Sequence, residues 1–311
     1  MKSFKYALTL FALLCMTACG AGRQSALVQS DAELLKATGQ GDFQAKVAEG
    51  DTAWESRKDT AQLEAAIAAW EASTTVATPN LSEEDRRAAL AQVYAKLTRA
   101  YYFMADSHVR MSGGDEDVLE EKMKQVFEKG ATAAELGLGV YSKAYADAIR
   151  QETPVPEAIK LLDKGAVPLL YWYATNIGKW ALLEGFTEIL SRKDNIKAIM
   201  DLVEAVAPDY LSGAPYRYFG AYYTKLPFPG GDIDKSTEYF EKAIAVNPNY
   251  LSTRVLYAQM NATKADDKEL FKKQLQYVVD FDLSQAPDIG PENHYEQLKA
   301  KQMLENIDDL F

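Results

Sequence analysis

The sequence predicts an all-α fold, a solenoid of antiparallel helix hairpins. Three observations carry this. Apolar residues recur at i, i+3 and i+4 almost throughout, and no stretch alternates with the period of two that marks a half-buried strand. The punctuation belongs to helices: Gly-Gly-Asp at 113–115 and 230–232, and Pro154, Pro156, Pro208 and Pro248 between apolar stretches. A spacing of small and aromatic residues also occurs twice, around Trp70 and around Phe240.

Residues 1–18 form the first element. Met1–Lys5 is short and basic, and Tyr6–Ala18 is apolar but shorter than the roughly 20 residues that span a bilayer. This is the layout of a secretory signal. Met16-Thr17-Ala18-Cys19 resembles the lipobox of bacterial lipoproteins, with Met16 in place of the usual Leu. The resemblance implies cleavage before Cys19 and a lipid on its thiol; the alternative is an ordinary signal cut after Ala18 or Ala21. Gly20 is not the Asp that resembles an inner-membrane retention signal, so the outer membrane is the expected destination. Residues 19–32 are polar enough for a lipidated tether, which leaves 33–311 as the helical domain.

Composition limits the domain's chemistry. Hydrophobic residues make up 48% of the chain, enough for a large core. Both cysteines, Cys15 and Cys19, lie at the N-terminus, so no disulfide can staple the body. The formal charge of −11, more negative still once Lys2 and Lys5 are removed, argues against nucleic acid as a partner.

Along the domain, Leu63, Ala66, Ile67, Trp70 and Ser73 fall on one helical face, and Leu90, Val93, Tyr94, Leu97, Tyr101 and Met104 form another. Asp115 and Asp232 are placed to cap the helices that follow them. Ser236, Phe240, Ala243 and Pro248 match the second helix of a tetratricopeptide (TPR) unit, and Gly220 and Tyr223 suit its first. Their separation puts Leu226–Gly230 in an extended inter-helix loop. Ala66, Trp70, Ser73 and Pro79 repeat the pattern, with the Pro one position late. In all, eleven or twelve helices are expected in a TPR-like α-solenoid.

No catalytic or metal constellation stands out. His108 and His294 are far apart and lack ligand spacing. There is no G-x-S-x-G, P-loop or dinucleotide fingerprint. Asp232-Ile-Asp234-Lys-Ser236 resembles the start of a calcium loop, but Thr237 and Ala243 stand where that loop needs Gly and Glu. The expected protein is not an enzyme and carries no cofactor.

Aromatic density is the distinctive signal. Leu169–Trp180 holds Tyr171, Trp172, Tyr173 and Trp180, with Asn176 and Lys179 among them; Tyr216, Tyr218, Phe219, Tyr222 and Tyr223 follow in a second cluster. Trp172, Asn176, Lys179 and Trp180 share a helical face with Tyr173 at its edge. Such residues either lock hairpins together or line a cavity. A buried Asn and Lys need partners, which favours a cavity. The candidate ligand-binding residues are therefore Trp172, Tyr173, Asn176, Lys179, Trp180, Tyr216, Tyr222 and Tyr223.

Tyr171-Trp172-Tyr173-Ala174-x-Asn176-x-Gly178-Lys179-Trp180 resembles a signature of the T component (TatT) of TPR-protein-associated TRAP transporters. So do Gly220-Ala221-Tyr222-Tyr223-x-x-Leu226-Pro227, Gly230-Gly231-Asp232, Tyr239-Phe240-Glu241-Lys242-Ala243, Leu270-Phe271 with Leu275, and the closing Asp308-Asp309-Leu310-Phe311. Gly50-Asp51 with Trp54 agrees as well, while Ser236 replaces the family's usual Ala. The resemblance implies a periplasmic lipoprotein of divergent TPR hairpins. Its implied partner is the solute-binding P component of the transporter, with a hydrophobic small molecule, such as an organic acid with a large apolar part, as ligand. A second copy of the chain is a further candidate partner. The other function the sequence allows is a TPR scaffold lipoprotein in envelope assembly, holding peptides in a concave groove.

Overall fold

A computed structural model of the chain describes residues 23–225 and 230–311. The signal peptide 1–18, Cys19, and all but the end of the expected 226–230 loop lie outside the described residues. The chain is 80% helical and forms no strand among the described residues. The α-helices are α1 (Asp31–Leu34), α2 (Phe43–Glu55), α3 (Thr60–Thr75), α4 (Glu83–Phe103), α5 (Glu116–Tyr141), α6 (Lys143–Arg150) and α7 (Val155–Ala158). There follow α8 (Val167–Glu184), α9 (Phe186–Val206), α10 (Tyr210–Lys225), α11 (Ile233–Val246), α12 (Ser252–Leu256), α13 (Lys268–Asp280) and α14 (Gly290–Glu305). The excess over the expected number lies in α1, α7 and α12, each 4 or 5 residues long and too short to show a period.

Sequential helices pack as hairpins: α2 with α3, α4 with α5, α8 with α9, α10 with α11, and α13 with α14. Capping explains where they start. Asp42, Asp59, Ser82, Asp115, Asp232 and Asp267 each accept a backbone N–H of the first turn. Asp232 is thus a helix cap, as its failed calcium-loop context suggests. The face of α3 expected to be buried is buried, with Trp70 against Gly50 of α2, whose missing side chain makes room for the indole. In the α10–α11 hairpin, Phe240 lies on Gly220, and Ser236 Oγ donates to the Gly220 carbonyl at 2.8 Å. The TPR-like spacing reflects real contacts.

Helices α4, α5 and α8 form the centre. The chain approaches most closely where α5 is glycine: Gly130 faces Asn176 and Gly137 faces Leu169, while Lys124 pairs with Glu184 at 3.2 Å. These pairs run in opposite directions along the two helices, so α5 and α8 are antiparallel. A side chain at 130 would place its Cβ 2.3 Å from Asn176 Oδ1, and Asn176 is fully buried. Gly130→Ala is expected to lose about 1–3 kcal/mol by overpacking, read from urea unfolding. An unchanged midpoint would mean that α5 and α8 can separate freely.

The described part of the expected tether, 23–32, does not hang free. Arg23 donates to Glu135 at 2.8 and 2.9 Å and to Thr132, and Leu27 is buried beside Gly139. A polar sequence reads as solvated until its partner, over a hundred residues away, is known.

Two later contacts tie the C-terminal helix to the start of the domain. Arg57, after α2, donates to Glu292 of α14 at 2.9 and 3.1 Å and to the Asp288 carbonyl, and Arg99 of α4 joins the same carboxylate at 2.8 Å. His108 donates from Nε2 to the Arg57 carbonyl, so its Nδ1 accepts from Thr60 or Tyr295.

Candidate binding recess

The C-terminal end of α4 widens into a π-helical turn over Met104–Val109. Such turns re-aim side chains and are frequent at functional sites. Here the turn directs Asp106 inward, where it meets Lys179 of α8 and Lys299 of α14, both at 2.8 Å, and Arg110 at 3.3 Å. Burial alone would raise the Asp106 carboxyl, but the three cations outweigh it and hold it well below the carboxylate range. Lys299 has a second carboxylate, Glu296, at 2.8 Å and its pKa rises. Lys179 shares only Asp106 and faces Arg110, so burial lowers its pKa.

Beside this cluster stand Tyr102, Tyr171, Trp172 and Tyr210, linked edge to face and by tilted contacts: Tyr102–Trp172 at 5.1 Å, Tyr171–Trp172 at 4.9 Å, Tyr171–Tyr210 at 5.5 Å. Tyr250 lies under the Arg217 guanidinium at 4.2 Å. Burial pushes the Tyr250 phenol up to about 12 and raises the Tyr102 phenol well above its ordinary value. Yet Tyr102, Tyr210, Tyr250, Arg99 and Lys179 all keep solvent-accessible surface. Crowded rings that keep accessible surface mark this cluster as the candidate recess. Its walls come from α4, α8, α10, the turn before α12, and α14.

The start of α10 shapes one wall. Leu211, Ser212 and Gly213 are left-handed, with φ of 43°, 60° and 75°. That conformation is strained for Leu and Ser. Arg217 holds it by donating to the Leu211 carbonyl at 2.8 Å and to the Ser212 carbonyl, and Asn247 donates to Ser212 Oγ at 2.9 Å. The same guanidinium covers Tyr250, so the strained turn and the recess share a residue.

The candidate residues read from sequence divide. Trp172, Asn176 and Lys179 do share a face, and it meets α4 through Tyr102, Thr98 and Asp106. Asn176 Nδ2 is held by the Thr98 hydroxyl and the Thr98 and Trp172 carbonyls. Its Oδ1 has no hydrogen-bond partner and lies against Gly130. The partners that a buried Asn and Lys require therefore come largely from the fold. Burial, and then the nearby Glu135 carboxylate, raise the Tyr173 phenol, with Arg23 acting in the opposite direction. Trp180 lies beneath Arg192 of α9 at 5.1 Å. Tyr216 and Tyr223 pack on Tyr239 of α11, at 6.2 and 5.7 Å, and Tyr222 stacks on Tyr218 at 5.8 Å. Among the described residues no ring contact joins this second group to Trp172. Tyr102, Asp106, Arg99, Arg217 and Tyr250 were not singled out by sequence; the Gly213-x-Pro215 break was the one local signal of the strained turn.

The candidate recess thus combines aromatic side chains with Arg99 and Lys179, both partly accessible. The chain belongs to the TRAP transporter T-component family, whose model matches residues 56–311, and the members of that family are accessory, periplasmic-side subunits of the transporter. No match was found among curated proteins. No helix among the described residues is long and apolar enough to cross a membrane.

Proposed function

We propose that this T component is a periplasmic lipoprotein, held by a lipid on Cys19 to the outer membrane. There it docks the solute-binding P component of its transporter and receives a hydrophobic organic acid in the central recess. The observation that supports the ligand reading is the ring cluster of Tyr102, Tyr171, Trp172 and Tyr210 beside Tyr250, where Tyr102, Tyr210 and Tyr250 keep accessible surface. Tyr171, Trp172 and Tyr210 offer the apolar area, and Arg99 and Lys179 offer charge to a carboxylate.

Decanoate titration followed by tryptophan fluorescence tests the recess. Tyr250→Ala should weaken binding about ten-fold, a change of about 1.4 kcal/mol, while the melting temperature moves little. Equal affinity in the variant would remove the recess from the binding path. Trp172→Ala and Trp180→Ala complete the set; if they melt the protein, those rings are core. For docking, pull-down with the solute-binding protein should yield a complex, and its absence at concentrations on the order of tens of micromolar rejects that part.

One observation favours the second reading, a peptide-binding scaffold. An open groove of about 550 Å³ runs along α3, α4 and α5, lined by Glu71, Thr74, Tyr94, Tyr101, Gln125 and Lys129 among others. Peptide binding abolished at this groove, with no effect of decanoate, would support the scaffold.

A further inference from the structure

The turn between α8 and α9 exposes an apolar group that no described residue covers. Phe186 is 75% exposed, Leu182 44% and Leu190 43%. Their neighbours Leu183 and Ile189 pack inward against the core, so the hairpin tip has one buried apolar side and one bare one. Gly185, at φ 133°, makes the turn that presents Phe186 at its apex. Soluble surfaces carry single apolar residues freely, but a contiguous group on one tip marks a contact.

Helix α5 brings a further residue to this end. The antiparallel pairing of Lys124 with Glu184 and of Gly130 with Asn176 puts the first turn of α5 level with the start of α9. That turn carries Val118, 50% exposed.

The direction of the N-terminal arm says what this end faces. Leu27 lies beside Gly139, Ala26 N–H donates to Glu135, and Arg23 reaches Thr132 and Glu128. Traced towards its start, the chain therefore runs along α5 in the direction of Val118 and the α8–α9 tip. From Glu128 to Val118 is about 15 Å of helix. The four residues from Cys19 to Arg23 can span at most about 14 Å. An acylated Cys19 would sit within reach of the level of the exposed tip.

We propose that the α8–α9 tip is a second membrane contact: Phe186, Leu182 and Leu190 enter the bilayer interface beside the lipid anchor and fix how the protein stands on the membrane. The proposal rests on the lipid-anchor reading above. A single weak attachment leaves a protein free to tumble, whereas a lipid with an adjacent apolar tip defines an orientation. At the α8–α9 turn the charges are matched: Arg192 with Glu188 at 2.9 Å, Lys193 with Asp194 at 3.0 Å, Lys124 with Glu184; the first turn of α5 adds Glu116 and Asp117, which have no ion pair among the described residues. This end carries no net positive patch among the described residues and does not prefer anionic lipid, so apolar insertion drives the contact and phosphatidylcholine suffices.

The test uses the full lipidated protein on phosphatidylcholine vesicles. Beyond Cys19 the sequence has no cysteine, so Thr187→Cys provides one reactive thiol next to Phe186 for an environment-sensitive fluorophore. Leu161→Cys provides the control; Leu161 is exposed near Asp163, whose carboxylate meets Tyr141 at the opposite end of α5. Brominated phosphatidylcholine should quench the label at 187 at least about two-fold and leave 161 unaffected, as expected of a group within the interface. Phe186→Ser with Leu190→Ser should abolish the quenching while vesicle flotation persists. Flotation with an unquenched label at 187 overturns the inference alone. Loss of flotation in the parent protein overturns the anchor, and the inference with it. If the label is instead buried without vesicles, in step with dimer formation in sedimentation, the tip binds a second copy and not a membrane.

Discussion

Asp106→Asn should cost this protein about 3–5 kcal/mol, the typical loss when one partner of a buried ionic group is removed. Asp106 is the only carboxylate shown against Lys179, and it also holds Lys299 and Arg110. Asparagine keeps the shape and leaves three cations facing one another. Because the folded-state pKa of Asp106 is depressed, its contribution is complete above the unfolded carboxylate value of about 3.9 and is lost as pH falls towards the folded value. The gap between parent and variant in urea midpoint should therefore be full at neutral pH and shrink below about pH 3.9. Combining Asp106→Leu with Lys179→Met, Lys299→Met and Glu296→Gln, which also neutralises the buried carboxylate paired with Lys299, should recover much of the loss, since apolar replacement of a whole buried ionic group is often neutral. A loss below about 1 kcal/mol, the range of exposed pairs, would show that water screens the cluster.

The α10–α11 hairpin offers the second large effect. Phe240 is fully buried, stacked on Tyr257 at 5.1 Å and seated on Gly220. Phe240→Ala should lose about 3–5 kcal/mol. Gly220→Ala alone should also destabilise, because its Cβ would stand 2.8 Å from the Phe240 ring. Made in the Phe240→Ala background, the same change meets no ring and gains helix propensity, about 0.5–1 kcal/mol. A double-mutant cycle on melting temperature reads the coupling directly. Additive losses would show that the two residues do not touch.

These two sites differ in how far the sequence reveals them. Phe240, Gly220 and Ser236 are legible because a hairpin's partners sit at fixed short separations, and capping by Asp115 and Asp232 is more local still. The fold class follows from many such local signals. The ionic centre is not legible, because Asp106 finds Lys179 and Lys299 only after α8 and α14 have packed. The Arg23–Glu135 contact is hidden for the same reason, and so a docked arm reads as a tether. The aromatic run marks the right helix, since Trp172 and Lys179 border the recess. It cannot tell them from Asn176, whose amide bonds within the fold, or from Trp180, which lies under Arg192. Periodicity orders residues around one helix axis; it does not say which neighbour each face will meet.

Arg57–Glu292 and Asp106–Lys299 join positions separated by 235 and 193 residues. An array of hairpins ordinarily has two free ends, each able to fray while the middle stays folded. With its last helix clasped to the turns after α2 and α4, this chain has the connectivity of a belt closed near its start. Losing the final hairpin removes the buckle from α2, α3 and α4 as well, so the recess has no edge from which it can unravel piecemeal.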